Sequence, residues 1–319
     1  MKPAPLVVVL LPLLFGGCGK KESVAEGHSE RTLARAKELL SAVEEKQQEV
    51  KPTEEAPVKP NLKYEIKGDA VTITGCDKKA SGSLTIPATI EGKAVTSIGE
   101  KAFTGCASLT SITIPDSVNS IGNAVFAGCS SLRSITIGDG VTGIGDSAFY
   151  ACTTLTSITI GDSVTRIGLF AFAGCTTLTS ITIPDSVTSI GDSAFYACTS
   201  LTSITIPDSV TSIGDSAFHA CTSLTSITIP EGVTYIARGA FFQCASLTSV
   251  MIGNGITSIS NYAFVSCTSL TAVTFLGDAP KEGLEIFEKS SPTIYRKPEA
   301  KGWGETFGGR PVKLISEKP

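Results

Sequence analysis

Leu178 to Ser200 reads LTSITIPDSVTSIGDSAFYACTS, and Leu201 to Ser223 repeats it with one change, His219 for Tyr196. The unit is 23 residues long, and its period runs far beyond these two copies. Cys106, Cys129, Cys152, Cys175, Cys198, Cys221, Cys244 and Cys267 keep it without an insertion. So do the leucine column from Leu109 to Leu270 and the phenylalanine column from Phe103 to Phe264. A fixed period of this length is the signature of a stacked-repeat architecture. One unit buries too little apolar surface to offset its own ordering, so neighbours must share a continuous core.

Within a unit, Ser180-Ile181-Thr182-Ile183 alternates polar and apolar residues with the β-branched side chains of a half-buried strand. Pro184 stops it, because proline has no amide hydrogen to give to a ladder. Pro115, Pro207 and Pro230 share that column with Gly138, Gly161 and Gly253, which makes it a corner. Val187 and Ile190 follow three apart. Asp192-Ser193-Ala194-Phe195-Tyr196-Ala197-Cys198 then reads as one or two helical turns with Asp192 as N-cap. The expected fold is an α/β repeat solenoid: parallel strands about 4.8 Å apart, short helical turns, and a cap at each end.

L-T-S-I-T-I-P resembles the L-x-x-L-x-L core of leucine-rich repeats, with Ser117 and Ser186 where that consensus has Asn or Cys. The full unit, with I-G-x-x-A-F-x-x-C, closely resembles the BspA-like leucine-rich repeats of bacterial surface proteins, over roughly residues 62 to 310. That resemblance implies a non-enzymatic surface protein that binds protein or glycan.

The chain divides on composition. After Lys2, the apolar run Leu6 to Phe15 is too short to span a membrane and has the shape of a secretion signal, residues 1–17. It ends in Leu14-Phe15-Gly16-Gly17-Cys18, similar to a bacterial lipobox. The similarity implies that Cys18 is diacylated and anchors an exported protein in the bacterial envelope, at the outer membrane or cell surface. The other reading is an ordinary signal peptide with an incidental cysteine.

Residues 18–61 form a tether. Its stretch Ser29 to Val50 predicts a helix with Leu33, Ala36, Leu40, Val43 and Val50 at heptad spacing, followed by a Pro-rich linker from Lys51 to Pro60. Three heptads suit a solvated spacer, or a weak self-association segment. If residues 29–50 are the working contact, the protein is instead a structural spacer or assembly component of the envelope. Residues 62–98 read as the N-terminal cap, with two strands around Gly68-Asp69 and a five-residue insertion before Val95. Residues 99–275 are the solenoid. Residues 276–319, with Trp303 and Phe307, are the C-terminal cap.

A net charge of −4, with no basic stripe, argues against nucleic acid as a partner. The cysteine column should point into the core at one depth. Stacked parallel positions rarely give disulfide geometry, so buried free thiols are expected, and a single file of thiols lacks the convergent spacing of a metal site. His28 and His219 are the two histidines, one in the tether and one where the neighbouring unit has Tyr196. That exchange places His219 in a tolerant surface column. No histidine stands beside a unique nucleophile, so no catalysis and no cofactor are expected. Gly191 and its column are a packing preference, since Ala237 and Ser260 occupy the same place. Three surface columns remain for binding. One is the acidic file from Asp116 to Glu231, best read as turn formers. Another is the hydroxyl file of the strands, including Ser180 and Thr182. The third is an interrupted aromatic line, Tyr150, Tyr196, His219 and Phe242, which is the best candidate for ligand contact.

Overall fold

The structure is a computed structural model that describes residues 61–317. Cys18, the segment 29–50 and the linker to Pro60 lie outside them. The described residues form a parallel β-solenoid of about 10 coils at a spacing of about 23 residues. Each regular coil contributes a three- or four-residue strand, a corner, a two-residue strand and a run of turns. Strand pairing follows the repeat: Ser180, Ile181 and Thr182 face Ser203, Ile204 and Thr205 in parallel. The short strands stack likewise, with Ser189 and Ile190 beside Ser212 and Ile213. Ile181 and Ile183 point inward and are buried, while Ser180 and Thr182 face solvent. At the corner the Val187 amide donates to the Pro184 carbonyl at 3.0 Å. Nearby, the Ser186 hydroxyl donates to Val164 O one coil back at 2.7 Å.

The expected helical turns are absent. Among the described residues the helical content is one 3-10 turn, Ile315–Glu317. From Asp192 to Cys198 the backbone is a run of turns, with Ser193 and Ala197 in the left-handed region at φ 54° and 55°. An α-helix cannot pass through such residues. Their amides serve two directions instead. Ser193, Phe195 and Ala197 donate to Asp215, Ala217 and His219 in the next coil, each at 2.8 Å. Ala194, Tyr196 and Cys198 donate three residues back within their own coil. Nor is Asp192 an N-cap. Its Oδ1 accepts the Asp215 amide one coil on, at 2.9 Å. Asn123, Asp146, Asp215 and Asn261 do the same for the coils that follow them.

Phenylalanine forms the spine of the core. Nine rings from Phe103 to Phe287 stack in one file, with centroids 5.2 to 5.6 Å apart. This is the offset-stacked range that favours aromatic pairs. The segment read as the C-terminal cap thus begins with a further coil, in which Phe287 continues the phenylalanine column and Ser290 the cysteine column. Trp303 and Phe307 then stand against Phe275, at 4.8 and 5.4 Å between ring centres.

At the other end, β1 (Leu62–Lys67) and β2 (Ala70–Cys76) form an antiparallel hairpin turned at Gly68. β3 (Ser81–Thr85) begins the first coil. The insertion before Val95 is a tight hairpin, β4 (Thr89–Ile90) and β5 (Lys93–Ile98), whose turn places Glu91 and Gly92 at positive φ. A two-residue hairpin loop of this kind needs that conformation. β2 then pairs in parallel with β5, so the hairpin covers the open edge of the short-strand file.

Candidate functional site

The repeating interior has a defined polar partner for each thiol. Cys198 Sγ donates to Phe172 O at 3.1 Å, and the cysteines from Cys129 to Cys267 repeat this bond to the phenylalanine 26 residues earlier. Burial pushes the Cys152, Cys198 and Cys267 thiols up to about 12, against a smaller opposing pull from backbone hydrogen bonds. These thiols are neutral and inert, and each faces a carbonyl rather than a shared centre.

Glycine in the Ile-Gly column marks close approach between coils. Gly191 has no positive φ, and a Cβ there would lie 2.7 Å from the Gly168 carbonyl carbon. In the acidic file, Asp116 accepts the Asp139 amide at 3.0 Å and Asp139 accepts the Asp162 amide at 3.1 Å. Those two carboxylates are spent on holding coils together.

Three members of the aromatic line meet. Tyr196 and His219 ring centres are 4.9 Å apart, and His219 and Phe242 are 4.8 Å apart. The repeat causes this, since each follows the buried phenylalanine of its coil and so leaves the stack at one height. Tyr150 is separated from the group by the coil that carries Ala173. His219 does not lie at the surface. It is 9% exposed, held between its two aromatic neighbours. Burial pulls its pKa down to about 4, partly opposed by a hydrogen bond with Gln243, so it is neutral at ordinary pH. The rims of the group, Tyr196 and Phe242, are half-buried.

The structure adds residues from the adjoining coils. Tyr235 and Met251 are both 43% exposed. Tyr235 occupies a column that holds Ser189, Ser212 and Ser258, and Met251 one that holds Thr182, Thr205 and Thr228. The signal is present in the sequence, because Met251 interrupts a threonine file and Tyr235 a column that is mostly serine, which Arg166 also interrupts. In the same region of the chain, the Arg238 guanidinium lies 5.8 Å from the Tyr262 ring centre. No cluster of His, Cys, Asp or Glu suited to a metal ion occurs among the described residues. No helix among them is long and apolar enough to cross a membrane.

Coils in 23-residue register, parallel strand files and an aliphatic–phenylalanine core define a leucine-rich-repeat solenoid protein. The chain belongs to the BspA-type leucine-rich repeat family, whose six-copy repeat region matches residues 96–208 and 188–295. A leucine rich cell surface protein of Faecalibacterium prausnitzii A2-165 is 31% identical, with a TM-score of 0.57 over 76% of this chain and 77% of that one. A leucine-rich repeat protein of T. pallidum is 30% identical over 66% of this chain and 87% of that one, with a TM-score of 0.48. No curated protein matches the chain.

Proposed function

We propose that this is a non-enzymatic, lipid-anchored protein of the bacterial cell envelope whose solenoid binds a protein or glycan. The observation that carries the reading is its membership of a surface-protein repeat family, with a 31% identical relative described as a cell surface protein. The sequence Leu14-Phe15-Gly16-Gly17-Cys18 supports the address. The candidate contact residues lie in the coils from Tyr196 to Tyr262: Tyr196 and Phe242 in the turns, Tyr235 on a short strand and Met251 on a long strand. Aromatic and methionine side chains contribute most where they are part-exposed on a rigid frame.

The test uses the repeat as its own control. Phe242→Ala, Tyr235→Ser and Met251→Thr each install a residue that another coil carries, so the triple variant keeps the fold. Full-length protein is assayed on a glycan array and on immobilised surface-protein fractions. The expected result is binding by the wild type and loss of at least about tenfold in affinity, roughly 1.4 kcal/mol, in the triple variant. Undiminished binding by the variant would move the site elsewhere.

A further inference from the structure

Cys106 differs from the cysteines that follow it. The thiols from Cys129 to Cys267 donate to a phenylalanine carbonyl of a regular coil. Beneath Cys106 lies the N-terminal cap, and its thiol is hydrogen-bonded with that of Cys76, the last residue of β2. Lys78 reaches over the pair. Its Nζ lies 4.0 Å from Cys106 Sγ and also donates to the Thr104 carbonyl. The hydrogen bond from Cys76 draws the Cys106 thiol down and Lys78 assists, whereas burial holds the regular-column thiols up. Cys76 is 5% exposed, at the end of its strand, and exposed residues follow it. The objection that stacked column positions cannot pair does not apply, because Cys76 belongs to the hairpin and not to the column.

We propose that Cys76 and Cys106 are a redox pair that closes to a disulfide in an oxidising compartment and bolts the capping hairpin to the first coil, while the thiols from Cys129 to Cys267 stay reduced. The oxidant is a disulfide, such as that of an exported thiol oxidoreductase. Cys106, the thiol drawn down, loses its proton to solvent and, as the edge of the cap opens, attacks one sulfur of that disulfide, expelling a thiolate. Cys76 gives its proton to the expelled thiolate and attacks Cys106 Sγ of the mixed disulfide, expelling the second thiolate. The protein loses two electrons and two protons, and the oxidant becomes two thiols. The bond would close a loop that contains the β4–β5 hairpin, and so restrain the end of the stack that has no coil beneath it.

Occurrence in the cell rests on the export reading. The chemistry does not, so it is tested on purified full-length protein with oxidised glutathione, and the two can fail separately. The expected product has lost two hydrogens and carries one link, joining the tryptic peptide with Cys76 to that with Cys106, reversible by dithiothreitol. Cys76→Ser and Cys106→Ser each abolish it, and Cys129→Ser does not. Amide exchange in β1 and β2 slows by about tenfold on oxidation. Should a serine variant fail to fold, fragment-ion sequencing of the linked peptides in the wild type decides alone, because the tryptic peptide 102–133 carries both Cys106 and Cys129. Glutathione adducts without a link, links among the column cysteines or to Cys18, or full resistance at an oxidant level that oxidises the unfolded chain would each overturn the proposal.

Discussion

The Sγ of Cys198 donates to the carbonyl of Phe172 in the coil before it, at 3.1 Å. Ser290, which continues the cysteine column, makes the same bond to Phe264 O at 2.7 Å. The column therefore selects a small donor, not merely a small apolar group. Cys198→Ser is expected to cost no more than about 1 kcal/mol, since the hydroxyl can keep the bond. Cys198→Val loses the donor and adds a branch in a filled site, for about 1–3 kcal/mol. Denaturant unfolding of both variants checks this, and a valine variant as stable as the serine one would refute the role.

His219 makes stability depend on pH. Its folded pKa, about 4, lies below the ordinary value of 6.5, because the charged form is desolvated between Tyr196 and Phe242. Between those values the unfolded chain binds the proton and the folded one does not. The stabilisation is complete above pH 6.5 and is lost as pH falls through this window, by about 3 kcal/mol in all. Carboxylates also titrate in this range, so the informative quantity is the difference from His219→Tyr, a change the preceding repeat already contains. The wild type should lose stability faster than the variant from pH 6.5 to 4. Parallel curves would show that His219 is protonated without cost in the folded state.

Cys18 decides the address. If it is acylated, the wild type partitions into detergent and incorporates labelled palmitate in a bacterial host, and Cys18→Ala does neither. Equal labelling of both proteins would remove the lipid anchor and leave an ordinary secretion signal.

Much of the fold was readable in the sequence because each column carries one physical demand. Ile181 and Ile183 alternate with Ser180 and Thr182, and Phe195 returns every 23 residues, so strand, face and core follow. The turns were not readable. Asp192-Ser193-Ala194-Phe195 has the composition of a capped helix, and nothing in Ser193 or Ala197 announces a left-handed backbone. That conformation is favoured by the next coil, whose carbonyls take the Ser193 and Ala197 amides. The same non-local cause hid the state of His219. Its column predicts position, but its burial is set by Tyr196 and Phe242, each 23 residues away. Tyr235 and Met251 differ: no distant contact is needed to find them, because each stands where the preceding coil has a hydroxyl residue, Ser212 and Thr228.

The phenylalanine spine tests the architecture itself. Phe195 is buried between Phe172 and Phe218, at 5.3 and 5.4 Å. Phe287 stacks in the file only on Phe264, at 5.6 Å, and its other side meets the closing segment. Phe195→Ala should cost about 3–5 kcal/mol through the cavity it leaves. In a stack whose coils are coupled mainly to their neighbours, that cavity divides the body and raises hydrogen exchange on both sides of it. Phe287→Ala should instead confine faster exchange to the coils after Phe264. Deleting Leu201 to Ser223 removes one whole period and joins Ser200 to Leu224 in register, so a shorter, cooperatively folded solenoid is expected. Hydrogen exchange on the three variants distinguishes a linear stack from a body held by long-range contacts. If the deletion unfolds the chain while Phe195→Ala leaves exchange unchanged, nearest-neighbour stacking is not what holds these coils together.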